Sequence, residues 1–341
     1  MTSLPTPVTL ADVARSAGVS KMTVSNVINN KPGMSEETRL RVQRAIEATG
    51  YVSNAAARLL TGKRANMIGV LTPRLNWPFV TEILQSASTV AEAEGLNLAI
   101  FTTASNPTLE RERAMLLRTL ADGVLLVIPS ADEHQVFGNV VPVVTLGAYG
   151  ERTVKVDNFE GARLAVRHLI ELGHTRIAHV HGQHNDLRDA AEREQGFVSA
   201  LEEAGLDVLP GYLQDGEFSE EGGRRAAHAL LTLPDAPTAI FAANDRSAIG
   251  VMEAAAQLGL RVPHDLSVVG FDDIHAAAYT DPPLTTVRQP LQQMGEKAAR
   301  VLIDLMRGET GVEQHVLFPA SLVVRQSTAV PRAHQEVRVS P

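Results

Sequence analysis

Four side chains near the N-terminus have the types and spacing to read a base sequence: Lys21, Met22, Ser25 and Asn26. On one outward helix face, lysine can donate to guanine, asparagine can pair with adenine through two bonds, and methionine can touch a thymine methyl. A helix over Ser20–Asn29 would carry them, preceded by a short helix over Leu10–Ala17. Thr9 and Ser20 stand where a hydroxyl accepts the unpaired N–H groups of a helix start. Val13, Ala14, Val24, Val27 and Ile28 fall inward at helical spacing. Gly18 permits a tight reversal, and Val19 can plug the angle between the helices. The pattern is a helix-turn-helix, whose second helix fits a major groove. The competing reading is a small helical bundle with no nucleic-acid partner.

The charge distribution favours the first reading. Residues 1–64 hold nine Lys/Arg and four Asp/Glu, a net of +5, whereas the remainder carries −13 and the chain −8. Phosphate attraction is thereby confined to one end, and an acidic body discourages nonspecific adhesion. After a loop at 30–34, Ser35 is placed to cap a third helix. Glu36 and Glu37 sit in its first turn, Leu40, Val42, Ala45 and Ile46 form its apolar face, and Gly50 ends it.

From Met67 the pattern changes. Apolar runs at Met67–Leu71, Asn97–Phe101, Gly123–Ile128 and Val141–Thr145 read as strands, with helices at about Val80–Glu94 and Leu109–Ala121. Strands at Ile177–Val180, Ala239–Ala242 and Ser267–Phe271 repeat the rhythm. They alternate with helices at about Ala190–Ala204, Glu220–Leu231 and Arg246–Leu258. A helix at Phe159–Leu172 joins the halves, and another at about Gln292–Arg307 follows. The fold class is α/β: an N-terminal all-α reader, then two similar parallel-sheet lobes. In such sheets ligands collect beyond the carboxyl ends of the strands. The expected domains are 8–53, a linker at 54–64, a two-lobed body at 65–327 and a tail at 328–341.

Several motifs carry a resemblance. Leu10-Ala-Asp-Val-Ala, Ala17-Gly-Val-Ser, Thr23-Val-Ser, Val27-Ile-Asn29, Ser35-x-x-Thr38-Arg and Gly50-Tyr51-x-x-Asn54 occur in order. Asp157-Asn-x-x-Gly161, Ala243-Asn-Asp245, Gly270-Phe-Asp-Asp273 and Pro283-Leu-Thr-Thr-Val287 extend them. The chain resembles the LacI/GalR family of bacterial transcriptional regulators over roughly residues 8–327, its body resembling a type I periplasmic binding protein. The resemblance implies a repressor that binds a palindromic operator as a homodimer. Its affinity would be set by a small-molecule effector, a sugar or sugar derivative. Lys21, Met22 and Asn26 would meet bases, although the family often has arginine at the Asn26 position. Ser20, Thr23, Ser25, Asn29, Thr38, Tyr51 and Asn54 would contact phosphates, which position without specifying.

Residues 54–64 match the family's hinge helix, which orders on operator DNA. Leu60 would then wedge between base pairs, with Ala57 at the minor-groove floor. In the body, Arg193 would bond ligand hydroxyls or carboxylates, Asn244 and Asp272 would hold hydroxyls, and Phe218 would stack on the ligand. Trp77 and Phe79 would line the cleft, or belong to the core. Asn244 and Asp272 have helix capping as their alternative, and Arg193 an ion pair with Glu192 or Glu194. Where relatives often carry an acidic residue after Val143-Val144, this chain has Thr145-Leu146, which argues against a standard hexose.

Other chemistries find less support. There is no cysteine, which excludes disulfides, thiolate catalysis and Cys-ligated zinc and makes cytoplasm the expected compartment. His179, His181 and His184 could ligate zinc. No nucleophile–base–orienter set or phosphate loop accompanies them, so neither an enzyme nor a metal or other cofactor is expected. No apolar run is long enough to span a membrane. The tail, with two prolines and no leucine heptads, suggests a dimer rather than a tetramer.

Overall fold

The structure is a computed structural model that describes residues 8–28, 31–51, 65–129, 134–138, 140–147, 150–182 and 188–332. The chain divides into two units, Met1–Ala65 and Asn66–Pro341.

The first unit holds α1 (Leu10–Ala17), α2 (Lys21–Ile28) and α3 (Glu36–Thr49). Thr9 and Asp12 form a reciprocal capping box at the start of α1, in which the Asp12 carboxylate accepts the Thr9 N–H at 2.9 Å and the Thr9 hydroxyl at 2.6 Å. Ser20 Oγ accepts the Thr23 N–H at 3.0 Å, and Ser35 Oγ accepts that of Thr38 at 3.3 Å. Gly18 takes a left-handed φ of 63° and turns the chain between α1 and α2. Val13, Ala14, Ala17, Val24, Val27, Val42 and Ala45 make the core. Leu40, expected on the inward face of α3, is exposed. The buried positions Val42 and Ala45 define a stripe that Leu40 lies outside at helical spacing.

The second unit contains two six-stranded sheets among the described residues. In chain order its elements begin with β1 (Met67–Thr72), α4 (Pro78–Ala93), β2 (Asn97–Thr102), α5 (Pro107–Leu120), β3 (Gly123–Val127), α6 (His134–Phe137), β4 (Val143–Leu146) and β5 (Thr153–Val156). There follow α7 (Asn158–Glu171), β6 (Ile177–His181), α8 (Arg188–Glu203), β7 (Leu213–Asp215), α9 (Glu220–Leu231), β8 (Ala239–Ala242), α10 (Asp245–Gln257) and β9 (Ser267–Asp272). The last are β10 (Thr285–Arg288), α11 (Leu291–Arg307), β11 (His315–Phe318) and β12 (Ser321–Val323). The strand orders are β11-β5-β4-β3-β1-β2 and β12-β10-β9-β8-β6-β7. All pairings are parallel except that of β10 with β12.

Both sheets are covered on two faces, which is why their central strands read as continuous apolar runs. In the first, Ile68, Val70, Leu125, Val127, Val144 and Leu146 share a core with α4 and α11, while Val124, Leu126 and Val143 pack with α5 and Phe137. In the second, Phe241, Val269 and Phe271 face α7 and α8, and Ile240, Ala242 and Val268 face α9 and α10. The predicted strand at Val141–Thr145 begins only at Val143, because Pro142 has no N–H to give a ladder.

The chain passes between the sheets after Val156, after Arg288 and after Phe318. Thus α7 follows a strand of the first sheet yet packs on the second, and α11 follows a strand of the second yet packs on the first. Beyond the third passage, Ser327 Oγ donates to the Val268 carbonyl at 2.6 Å and accepts the Thr285 N–H at 2.8 Å, fixing the following segment to the second sheet.

Candidate functional site

On the N-terminal unit, Lys21 and Met22 are exposed, Met22 to 73%, while Thr23, Ser25 and Asn26 are half-buried. An apolar side chain so exposed at a helix start is free to meet a base methyl. The Ser20 and Thr23 hydroxyls lie 2.9 Å apart, as do those of Ser35 and Thr38. Tyr51 packs beside the small core and lines a shallow groove with Val27, Ile28, Gln43 and Ile46. Asn29, Asn54, Ala57 and Leu60 lie outside the described residues.

In the body, the carboxyl ends of the strands of both sheets open on one cleft of about 880 Å³, its mouth included. Trp77, Phe79, Arg193, Phe218, Asn244 and Asp272 all line it. The Trp77 and Phe79 rings stack at 5.8 Å between centroids, on the first-lobe side. Both are half-buried and also rest on the core. The Phe218 ring lies on the backbone of Gly182, where a Cβ would sit 1.9 Å from the ring.

Arg193 is the centre of the polar floor. Its Nε donates to Asn158 Oδ1 at 2.9 Å and its Nη1 to the Ala243 carbonyl at 2.5 Å. Its guanidinium stacks 3.8 Å from the centroid of Phe271. Its ion pair is with Asp272, at 3.7 Å, and not with the neighbours in sequence. Glu192 instead pairs with Lys155 at 2.6 Å. A helix turns side chains at 192 and 193 about 100° apart, so one faces the floor and the other the flank.

Asn244 is a helix cap. Its Oδ1 accepts the Ser247 N–H at 2.9 Å, and its Nδ2 donates to the Phe218 carbonyl at 3.2 Å. It thus ties the Phe218 loop to the start of α10. Asp272 caps no helix: its Oδ1 accepts from Gln289 Nε2 at 2.6 Å. Below it, fully buried Asp245 accepts the Ile274 N–H at 2.8 Å and the Thr286 hydroxyl. Asp273 binds Arg288 and Arg325, which flank two of the passages between sheets.

Three cleft residues other than glycine hold left-handed backbone: Ile128 at φ 49°, Phe218 at 51° and Asp272 at 119°. Such conformations cost about 1–3 kcal/mol each and gather where a site must be held in shape. Sequence reading did not single out Asn158, Asp189, Lys155 or Gln289, which also line the cleft. Asn158 lay inside a quoted motif, but its role depends on Arg193 and Asp189, which are distant in sequence.

Burial shapes the charges. It pushes Asp272 up to about 6, against the opposing pull of Arg193 and Gln289. Burial also raises Asp189 and, with Asp272 beside it, Asp245, and it lowers Arg193. Asp272 therefore holds its proton more tightly folded than unfolded, and its contribution to stability falls as pH rises from about 4 to about 6. Relative to Asp272→Asn, the wild-type chain is expected to lose stability over that window, by up to ~3 kcal/mol. Thermal unfolding of both at several pH values checks this; a pH-independent difference would refute it.

His179 is a core ring, stacked with Phe241 at 4.8 Å and Phe197 at 5.0 Å, with Nδ1 2.9 Å from the Phe241 carbonyl oxygen. His181 Nδ1 lies 2.8 Å from the Gly182 carbonyl oxygen. His184 lies outside the described residues. No three metal-ligating side chains converge among the described residues, and no helix there is long and apolar enough to cross a membrane.

Comparison with known proteins adds to the geometry. Residues 9–54 match "Bacterial regulatory proteins, lacI family", and residues 166–328 match "Periplasmic binding protein-like domain". The transcriptional regulator DegA of Bacillus subtilis is 36% identical over 332 residues, spanning 94% of this chain and 98% of that protein. The transcriptional repressor PurR of Haemophilus influenzae is 34% identical over 330 residues, spanning 94% and 98%. The crystal structure of the lac repressor dimer bound to operator and the anti-inducer ONPF aligns with a TM-score of 0.86 at 31% identity, covering 95% of this chain and 100% of that one.

Proposed function

We propose, on the premise that this chain belongs to the lacI family of bacterial regulatory proteins, that it represses transcription as a homodimer on a palindromic operator, under control of a small molecule held between its lobes. The family's members are DNA-binding transcriptional regulators and not enzymes. The observation that carries the proposal is the meeting of Trp77, Phe79, Arg193, Phe218, Asn244 and Asp272 at one cleft, in a chain that also presents an exposed Lys21 and Met22 on a recognition helix. The matched lac repressor is a dimer on operator, which supports the same assembly here. Two readers on a two-fold axis suit a palindrome.

In this reading Lys21, Met22 and Asn26 meet bases, while Ser20, Thr23, Ser25, Asn29, Thr38, Tyr51 and Asn54 meet phosphates. Residues 8–53 act as reader, 54–64 as hinge, 65–327 as body and 328–341 as tail. The cleft takes a carbohydrate or related metabolite. Its occupancy changes the lobe arrangement, hence the spacing of the two hinges, and the coupling between the two sites is on the order of 1–3 kcal/mol.

Fluorescence anisotropy against upstream DNA fragments at rising salt tests the reading. A palindromic fragment is expected to keep its preference while nonspecific binding fades. Leu60→Ala is expected to weaken that binding roughly 100-fold and reduce the bend, because an apolar wedge offsets its unstacking cost with extra protein–DNA contact. Unchanged affinity and bend would remove the hinge mechanism.

A further inference from the structure

The charged groups of the cleft are unequally matched. Each cation there has an acidic partner: Lys155 with Glu192 at 2.6 Å, Arg193 with Asp272 at 3.7 Å, and Arg246 with Glu220 at 3.3 Å. Asp189 has none within ion-pair distance among the described residues. Its Oδ1 accepts only the neutral amide of Asn158, at 3.1 Å. Its Oδ2 faces Gly147 of the first lobe, where an added Cβ would lie 3.7 Å away. Glycine offers no side-chain donor there, and its neighbour Leu146 contributes only hydrocarbon to the cleft wall.

We infer that the effector is an uncharged, polyhydroxylated ring that donates a hydroxyl proton to Asp189, and that its phosphorylated or carboxylated derivatives are excluded. The inference rests on the cleft being an effector site. In its ionised form the Asp189 carboxylate only accepts hydrogen bonds, so a group that meets Oδ2 then donates. Asp272 Oδ2 and Arg193 Nη2 have no partner among the described residues. One accepts and the other donates, on groups 3.7 Å apart, which suits adjacent hydroxyls that do both. Stacked Trp77 and Phe79 on one lobe and Phe218 on the other present apolar faces to a ring. An added phosphate or carboxylate would lose water beside the buried Asp272 and the half-buried Asp189, with each cation of the described lining already paired.

Several helices begin at the cleft, and their positive ends would attract anions. Those ends are already served. Asn244 caps α10 and Asp157 caps α7, Asp189 itself occupies the first turn of α8, and α4, which has no side-chain cap, opens on Pro78 and so has one N–H fewer to offer. The helix dipoles therefore do not reverse the preference.

The test uses the full chain, with thermal shift and the emission of Trp77, the single tryptophan. Probes are matched sets: glucose, glucose 6-phosphate and glucuronate; ribose and ribose 5-phosphate; cellobiose; and adenine. A neutral sugar is expected to raise the melting point and alter the emission, with its anionic derivative at least about tenfold weaker. Asp189→Asn is expected to weaken the neutral sugar about tenfold and to narrow that gap. Asp189→Ser, which keeps a side chain suited to a helix start, repeats the measurement if the first variant folds poorly. An anionic sugar binding as tightly as its neutral partner, adenine binding alone, or an unchanged ratio in both variants would overturn the inference while leaving an effector cleft in place. If no probe of any class moves either signal, the effector reading falls, and the inference with it.

Discussion

Arg193→Met is expected to lower the melting temperature by roughly 10 °C at pH 8 and to abolish effector binding. The residue is 6% exposed. Its loss removes the donor to the Ala243 carbonyl and the donor to Asn158, and strips Asp272 of its cation. Removing one partner of a buried pair costs about 3–5 kcal/mol, because the other charge stays uncompensated. In a domain of this size each kcal/mol moves the midpoint by about 2–4 °C. The variant has a second signature. Without the guanidinium, Asp272 rises further above its present value of about 6, so protonation relieves the defect and the gap to wild type narrows at pH 5. Arg193→Lys is not expected to restore the site, since an ammonium lacks the planar fork that reaches both acceptors. Differential scanning calorimetry at the two pH values decides the matter: an unchanged midpoint at both would mean that the floor does not depend on this residue.

Gly250→Ala is expected to cost about 3 kcal/mol and to weaken effector binding without touching the cleft. Gly250 is on α10 where it crosses α9, and an added Cβ would lie 2.0 Å from the Glu220 carbonyl oxygen and 2.9 Å from the Arg224 nitrogen. These are backbone atoms, so no side chain can swing aside and the helices must part. The start of α9 is held by Ser219, which accepts the Gly222 N–H at 3.0 Å. One residue earlier stands Phe218, whose carbonyl accepts from Asn244 at 3.2 Å. Parting the helices thus pulls the Phe218 loop away from the cap of α10. Thermal unfolding and Trp77 emission with a bound ligand check both effects. A stable variant with wild-type affinity would show that the seam tolerates the methyl group.

The reader unit was legible because its determinants are local. Caps sit three residues from what they cap, Gly18 needs only its own backbone, and the inward positions follow one helical period. Leu40 was misassigned for the same reason, since an apolar residue next to the stripe resembles one within it until the partner helices define the face. In the body, long apolar strands such as β1, β3 and β9 were legible because both faces are buried. Strands β5, β7, β10, β11 and β12 were not read as strands. They are three or four residues long, and β7, β11 and β12 are half-exposed or exposed along their length, so their assignment depends on neighbours that arrive from elsewhere in the chain.

The cleft divides along similar lines. Its six expected residues were found through resemblance, and the fold does bring them together. The identity of the Arg193 partner was not available from residues 192–194, because a helix sends adjacent side chains to different environments. Asp189 is one of several acids near helix starts, and only the fold sets Gly147 opposite it.

By itself, the order of residues determined a basic three-helix reader, an acidic α/β body with two repeated halves, and the absence of thiol chemistry. These follow from periodicity, capping and composition, which act over a few residues or over the whole chain at once. Which carboxylate meets which cation, which carboxylate is left without one, and which loops take left-handed backbone were decided only when three passages between two sheets brought positions 77 to 294 to a single cleft. The energy of a charge is set by burial and by partners within a few ångströms, and neither can be read along a chain until it is folded.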